Sequence, residues 1–242
     1  MEFTICLAQV NIKIKSIYGE VFNLCKDYIT ENSPDFTVEI SPEDIEFERE
    51  KSKREAKFEK RRYFDFDNSY LETLAVYRKI AVGLLDYRAF VMHGAVVGLD
   101  GYAYMFTAPS GVGKTTHTRF WLEVFPDAFV VNGDKPVLKI TDTGILACGT
   151  PWAGKEGENR NTSLPLKGIC LLMRGKENEI KEVTFKKIFP FIIGQTYRPY
   201  GEEEMIKTMQ YIKDLGERVK FYLLKCNLDS CAANIAFDGM NK

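Results

Sequence analysis

The spacing of apolar positions divides the first hundred residues into a strand region, a helix and a hairpin. Residues 2–14 alternate apolar and polar in their second half, which suits a strand, and residues 36–40 suggest another. Ser69 with Glu72 three residues later has the pattern of a capping box, and apolar residues then share one helical face, which predicts a helix over 69–86. Two β-type runs follow, separated by Asp100-Gly101, the pair that a tight hairpin turn prefers.

The second half of the chain alternates strands and helices around one long polar loop. A helix is predicted to end at Phe125, before Pro126, and an apolar strand from 129 leads to Asp134. Further strands are predicted at 137–140, 145–148, 169–173 and 220–225, and further helices near 184–195, 202–215 and from 229. Residues 149–163 form the polar loop, and loops of this length in compact domains tend to be functional.

A glycine-rich loop at 108–116 carries the clearest chemistry. Ala108-Pro-Ser-Gly-Val-Gly-Lys-Thr-Thr116 fits the phosphate-binding pattern with Ala in the first position, and it lies between a predicted strand and a predicted helix. Such a loop points backbone N–H groups and the positive end of a helix at phosphates, while the lysine reaches the β- and γ-phosphates and the threonine ligates Mg²⁺. ATP and Mg²⁺ are therefore the expected cofactors, and the predicted binding residues are Ser110, Gly111, Val112, Gly113, Lys114, Thr115 and Thr116.

Composition and charge indicate no polyanionic partner. Lys and Arg number 33 against 34 Asp and Glu, so nothing calls for nucleic acid or an anionic membrane. Residues 43–62 are mostly charged, but their signs interleave, which favours a solvated helix or hairpin face. Six cysteines without a C-x-x-C pair indicate reduced thiols and no zinc site. Since no leader and no run of about 18 apolar residues is found, we expect a cytoplasmic protein.

Three segments together resemble a known family. Met92-His93-Gly94, the loop at 108–116 and the sequence Val-Asn-Gly-Asp-Lys-Pro at 131–136 are similar to the HPr kinase/phosphorylase family and its phosphoenolpyruvate carboxykinase relatives. The segments 149–156 and 165–169 look like the small HPr-kinase-like proteins of bacteria, some of which phosphorylate serine on peptides. The resemblance implies an α/β fold with a P-loop core of this type. We expect a small β-rich N-terminal region over 1–66 and a P-loop kinase domain over 67–242.

The resemblance also implies roles for single residues. Asp134 would be the metal-site acid or the base toward the acceptor hydroxyl, and His93 would lie close to the transferred phosphoryl group. From the residues alone, a lone histidine is more often structural than catalytic. The family has an acid where this chain has Pro109 and a second acid beside Asp134, where Gly133 and Lys135 stand here. These departures count against the phosphorylase half of the family's chemistry.

The long loop supplies the remaining candidates. Lys114 joins Asp134 and His93 as a predicted catalytic residue, and Glu156 joins Thr115 and Asp134 as a predicted metal ligand. Trp152, Lys155 and Arg160 are predicted to contact the acceptor, although a merely solvated loop would have a similar composition. These three are the predicted substrate-binding residues.

The function that these residues predict is transfer of the γ-phosphoryl group of ATP to a hydroxyl of a peptide, a protein or a small molecule, with serine favoured. A nucleotide-binding accessory or switch protein with slow ATPase activity and a carboxykinase-like enzyme are the alternatives. A GTPase is less favoured because no Asn-Lys-x-Asp motif occurs. The sequence leaves the acceptor, the base of the nucleotide and homo-oligomerisation open.

Overall fold

The computed structural model describes residues 1–109 and 111–242 and divides into two units, Met1–Leu84 and Leu85–Lys242. Both contain helices and strands, so the protein is mixed α/β. The sequence predicted a domain boundary at residue 66, in front of the helix at Asn68–Gly83. In the structure that helix lies within the first unit.

The first unit contains a three-stranded sheet, three α-helices and a short 3₁₀ helix at Lys26–Tyr28. Its strands are β1 (Glu2–Leu7), β2 (Val10–Lys15) and β3 (Phe36–Glu39), and its helices are α1 (Glu20–Cys25), α2 (Pro42–Phe58) and α3 (Asn68–Gly83). β1 and β2 pair antiparallel, and β3 lies parallel to β2. The single strand expected over 2–14 is thus a hairpin, because Ala8 and Gln9 adopt positive φ angles of 50° and 60°. Neither residue is a usual turn former, so the sequence did not indicate this turn.

The start of α3 differs from the predicted capping box. Asp67 is the N-cap residue, and its carboxylate accepts a hydrogen bond from the Tyr70 N–H at 2.8 Å. Glu72, predicted as the partner of Ser69, is instead fully buried and accepts hydrogen bonds from two backbone N–H groups that follow β2. The capping box at Ser69 was therefore wrong, because a long-range contact uses Glu72. The charged stretch that begins at residue 43 forms most of α2, as a solvated helix face would.

The second unit is built on a curled sheet. Within the described part of the chain its strands are β4 (Ala89–Val91), β5 (Ala95–Leu99), β6 (Tyr102–Thr107), β7 (Phe129–Asn132), β8 (Val137–Ile140), β9 (Ile145–Cys148), β10 (Ser163–Arg174), β11 (Glu179–Val183) and β12 (Lys220–Cys226). They run in the order β4-β8-β9-β10-β6-β5-β7, with β12 also beside β10 and β11 beside β12. The helices are α4 (Lys114–Val124), α5 (Phe185–Gln195), α6 (Glu202–Arg218) and α7 (Cys231–Met240).

β6 occupies a central place in this sheet. It pairs parallel with β10 and antiparallel with β5. Ala103 and Met105 belong to one apolar core, and Tyr104 and Phe106 belong to a second core on the opposite face. A strand buried on both faces is well fixed, so the loop that follows β6 starts from a rigid position.

The hairpin turn between β5 and β6 is formed by Asp100 and Gly101, both with positive φ, as the sequence predicted. β8 and β9 agree with their predicted ranges, whereas β11 was not predicted. Among residues 1–109 and 111–242, no helix is both long enough and apolar enough to cross a membrane.

Candidate active site

The glycine-rich loop connects the end of β6 to the start of α4. Gly111 and Gly113 have φ angles of +76° and +121°, a region that side chains with a Cβ rarely adopt. Gly113 is the N-cap residue of α4, and no side chain of residues 1–109 or 111–242 caps the first turn. The free N–H groups and the positive end of the helix dipole are therefore available to an anion.

Lys114, the first residue of α4, has an incompletely satisfied ammonium group. Its Nζ donates a hydrogen bond to the Ala108 carbonyl at 3.2 Å. No carboxylate of the described residues lies within ion-pair distance of it. Burial lowers the pKa of Lys114, and the negative charge of Asp134 opposes that shift. A partly buried cation without a close counter-ion would be stabilised by a bound phosphate.

A cavity of about 490 Å³ opens in front of this lysine. The loop and the start of α4 form one wall, His93 and Asp134 form another, and the segment after Ala153 forms a third. Most of the predicted site residues thus border one space. They are His93, Gly111, Gly113, Lys114, Thr115, Thr116, Asp134, Lys155 and Glu156.

Asp134 lies between two positively polarised groups. His93 Nε2 is 3.0 Å from Oδ1, and Lys135 Nζ is 2.9 Å from Oδ2. Burial by itself would raise the pKa of Asp134, but the hydrogen bond from His93 and the charge of Lys135 outweigh it and lower the pKa from 3.8 to about 2. The carboxylate is therefore ionised at every physiological pH.

Asn132 holds the turn that presents Asp134. This buried side chain accepts hydrogen bonds from the N–H groups of Asp134 and Lys135 through Oδ1, at 2.9 and 2.6 Å. Its Nδ2 donates to the Thr150 carbonyl at 2.9 Å. The Asp134 carbonyl in turn accepts from the Gly94 N–H. Asn132 lies in the segment 131–136 that carries the family resemblance, but the sequence did not indicate a role for it.

His93 is held at both ends of its ring. Its Nδ1 lies 2.6 Å from Gln195 Oε1, at the end of α5, and its Nε2 faces Asp134. The His93 carbonyl also accepts a hydrogen bond from the Thr107 hydroxyl at the end of β6. No sequence motif indicated Gln195 as a partner of His93, because the two residues lie 102 positions apart in the chain.

The loop 149–163 is anchored at both ends and exposed at its tip. The Gly149 N–H donates to the Thr162 carbonyl, and the Arg160 N–H donates to the Val131 carbonyl. Residues 154–157 are exposed, and the glycines at both ends of this tip have positive φ. Lys155 and Glu156 are thus presented over the cavity.

Some predicted residues lie elsewhere. Trp152 is only 8% exposed and does not border the cavity, because the chain itself covers it. The Arg160 guanidinium lies over the Phe129 ring, 4.1 Å from its centre, and is also outside the cavity. Val112 borders a different cavity, and Ser110 falls outside the described residues. Glu158, which no prediction included, borders the first cavity.

That second cavity, of about 520 Å³, adjoins the same loop. It shares Gly111, Gly113 and Thr116 with the first, so a ligand following the loop could extend from one to the other. Its remaining wall is mainly apolar and includes Phe120 and Leu228. Arg174 borders it and donates a hydrogen bond to the Gly111 carbonyl at 2.8 Å, which ties the loop to the end of β10.

The donors at the first cavity fit a magnesium ion that is held jointly with phosphates. Thr115 and Asp134 offer a hydroxyl and a carboxylate, which are hard oxygen ligands. The described residues contain no cluster of three His, Cys, Asp or Glu side chains that would hold a metal alone. Mg²⁺ usually retains waters and uses one or two carboxylates with substrate phosphates, so this sparse set is sufficient. Glu156 faces the same space but pairs with Arg119 at 3.1 Å.

Comparison with known proteins gives a distant structural likeness. No family model matches the chain, and no curated protein matches it. One similar solved structure is the Hpr(Ser) kinase/phosphatase from Coxiella burnetii, at 10% sequence identity and a TM-score of 0.37. The likeness covers 61% of this chain and 94% of that one. A TM-score of this size identifies neither a family nor an activity.

Proposed function

We propose that the protein is an ATP- and Mg²⁺-dependent kinase that transfers the γ-phosphoryl group to a hydroxyl, with serine of a peptide or protein as the acceptor class. The observation that carries this proposal is the position of Lys114. Its partly buried ammonium group has a backbone carbonyl as its hydrogen-bond partner, and it borders the cavity at the N-terminal end of α4, which no described side chain caps. A triphosphate supplies the negative charge that this arrangement lacks.

The two cavities suit the two halves of a nucleotide. The β- and γ-phosphates would lie in the polar cavity with Lys114 and Thr115, while the nucleoside would lie against Phe120 and Leu228 in the mainly apolar one. Phosphoryl transfer passes through a loose transition state, so catalysis consists mostly of positioning and of neutralising charge on the transferred group. When bound, Mg²⁺ supplies further neutralisation at the phosphate oxygens.

The low pKa of Asp134 favours one of its two predicted roles. A carboxylate with a pKa of about 2 is a weak base. It would therefore be a poor acceptor for the proton of the substrate hydroxyl. The same carboxylate is a good metal ligand and hydrogen-bond acceptor, and each oxygen retains a lone pair beyond its contact with His93 or Lys135. We infer that Asp134 holds Mg²⁺ and orients the acceptor hydroxyl.

The tip at 154–157 would contact the acceptor. Lys155 stands over the cavity between two glycines with positive φ, and Glu158 borders the same space. A short exposed segment with anchored ends could close over a substrate and exclude water before transfer. Lys155 would then favour acceptors with acidic groups near the hydroxyl.

Binding and transfer are tested separately. Calorimetry with MgATP is expected to show binding by the wild-type protein and a loss of at least tenfold in affinity for Lys114→Ala, since the variant lacks the cation that pairs with the phosphates. Transfer from radiolabelled ATP to a degenerate peptide array with a central Ser, Thr, Tyr or Ala then identifies the acceptor. Unchanged affinity in Lys114→Ala would refute the phosphate site.

A matched pair of variants tests the acceptor surface. Lys155→Ala is expected to lower peptide phosphorylation about tenfold without changing ATP affinity, whereas Arg160→Ala, on the same loop but outside the cavity, is expected to leave both unchanged. Tight MgATP binding with no transfer to any hydroxyl on the array would instead favour a nucleotide-dependent switch protein.

A further inference from the structure

Arg174 is held beside the glycine-rich loop by the sheet. It is the last residue of β10 and lies opposite Cys226 of β12, and the Gly175 N–H donates to the Cys226 carbonyl at 2.9 Å. The other neighbour of β10 is β6, the strand that leads into the loop. Because β10 has a paired strand on each side, the backbone of Arg174 has a fixed position relative to the start of the loop.

The guanidinium group of Arg174 has more donors than its contact uses. Its Nη2 donates to the Gly111 carbonyl at 2.8 Å, and this is the one contact of the group found among residues 1–109 and 111–242. An arginine carries five N–H donors in a planar fork that matches the oxygens of a phosphate group. Arg174 is exposed, so its remaining donors can reach a ligand.

The contact with Gly111 places this cation where the two cavities meet. Gly111 borders both cavities, and Arg174 borders the second. Arg174 is the only Asp, Glu, Lys or Arg among the described residues that border the second cavity. A nucleotide with its β- and γ-phosphates at Lys114 and its nucleoside in the second cavity would have its α-phosphate at this junction. A nucleoside against the apolar wall would also exclude water, which strengthens the attraction between the guanidinium and a phosphate.

We propose that Arg174 binds the α-phosphate of the nucleotide, in addition to tying the loop to β10. This role rests on the proposed function, and it adds a phosphate contact that Lys114 does not supply. The alternative is that Arg174 only holds the loop through Gly111. The two roles predict different effects on ligands that carry two and three phosphates.

Calorimetry with three ligands in excess Mg²⁺ separates the two roles. Pyrophosphate can occupy the positions at Lys114, tripolyphosphate adds the position at Arg174, and ATP adds the nucleoside. For Arg174→Gln we expect a loss of about tenfold in affinity for both ATP and tripolyphosphate, the size of one charge-assisted hydrogen bond, and no change for pyrophosphate. Arg174→Lys should recover part of the affinity, because it keeps the charge without the planar fork.

Lys176→Gln is the matched control. It removes the same charge from an exposed residue two positions away that borders neither cavity, so it should leave all three affinities unchanged. An equal loss with Lys176→Gln would reduce the effect to net charge. For Arg174→Gln, an equal loss for pyrophosphate would leave only the tie to the loop, and a loss for ATP alone would place the guanidinium against the nucleoside. Each of these results would overturn the α-phosphate contact.

The same measurements distinguish this role from the kinase proposal. If the wild type binds ATP and tripolyphosphate but transfers no phosphate to any hydroxyl, the kinase proposal fails while the α-phosphate contact stands. If the wild type binds and transfers, and Arg174→Gln binds all three ligands as tightly as the wild type does, only the role of Arg174 fails. A wild type that binds none of the three ligands would overturn both.

Discussion

Replacing Asp134 with asparagine should weaken the fold and the chemistry by amounts that can be separated. The pKa of this carboxyl is lowered from 3.8 to about 2, because the contacts with His93 and Lys135 outweigh burial. A difference of that size corresponds to roughly 2 kcal/mol of stability that the ionised group contributes. The side chain is 22% exposed, so solvent screens these contacts only in part.

The direction of the pKa shift determines how the stability of the protein changes with pH. A folded pKa below the unfolded value means that the contribution is complete above about pH 4 and is lost as the pH falls toward 2. Asp134→Asn lacks the titrating group, so wild type should exceed it in stability by up to about 2 kcal/mol at pH 7. The difference should shrink as the pH falls from about 4 toward 2.

Urea unfolding followed by tryptophan fluorescence measures this difference in the relevant unit. The chain has two tryptophans, Trp121 and Trp152, and both lie in the second unit. Asp142→Asn is the control, because Asp142 also forms an ion pair but is almost fully exposed, so its loss should have little effect. A stability difference that stays constant from pH 7 to pH 3 would refute the cationic environment described for Asp134.

Asp134→Asn should also separate nucleotide binding from transfer. The loop and Lys114 are unchanged, so MgATP should still bind, while peptide phosphorylation should fall by roughly 10² or more. Turnover within threefold of wild type would show that another acid, with Glu156 or Glu158 nearest the cavity, fills this role.

Three further outcomes follow from packing. A Cβ at Gly149 would lie 1.9 Å from a backbone carbonyl oxygen, so Gly149→Ala should lower the free energy of unfolding in urea by about 1–3 kcal/mol. Gly194 is the control, because it lies at an exposed helical position with open space around it. Gly194→Ala should be neutral or slightly stabilising. Glu72→Ala should lower the thermal midpoint more than Glu72→Gln, because it leaves two buried N–H groups without an acceptor. Phe120→Ala should weaken ATP binding several-fold in calorimetry and leave inorganic tripolyphosphate binding unchanged.

The parts that sequence could predict are those with local causes. The β5 to β6 hairpin follows from two residues that tolerate positive φ, and the loop before α4 follows from glycines placed next to Lys114. The parts that it could not predict depend on contacts between distant segments. Gln195 and Glu158 reach the site only because the sheet and the anchored loop bring them there.

Two corrections have the same origin. Glu72 matches a local capping pattern, yet its carboxylate binds N–H groups more than fifty residues earlier in the chain. Trp152 and Arg160 looked like contacts for an acceptor because they stand in a polar loop. The structure buries the first and places the second against Phe129, because the ends of that loop pair with neighbouring backbone.

The pairing of β10 bears on how the protein is made by the ribosome. β6, which leads into the glycine-rich loop, has its parallel neighbour at β10, where Ala103 lies opposite Leu166. β10 in turn pairs with β12, with Gly168 opposite Lys220. Parallel partners so far apart along the chain assemble slowly. At synthesis rates of about 5–20 residues per second, a nascent chain therefore spends several seconds with the strand edges of β6 and β10 unpaired. During that interval the unpaired edges of these strands are open to pairing with another chain.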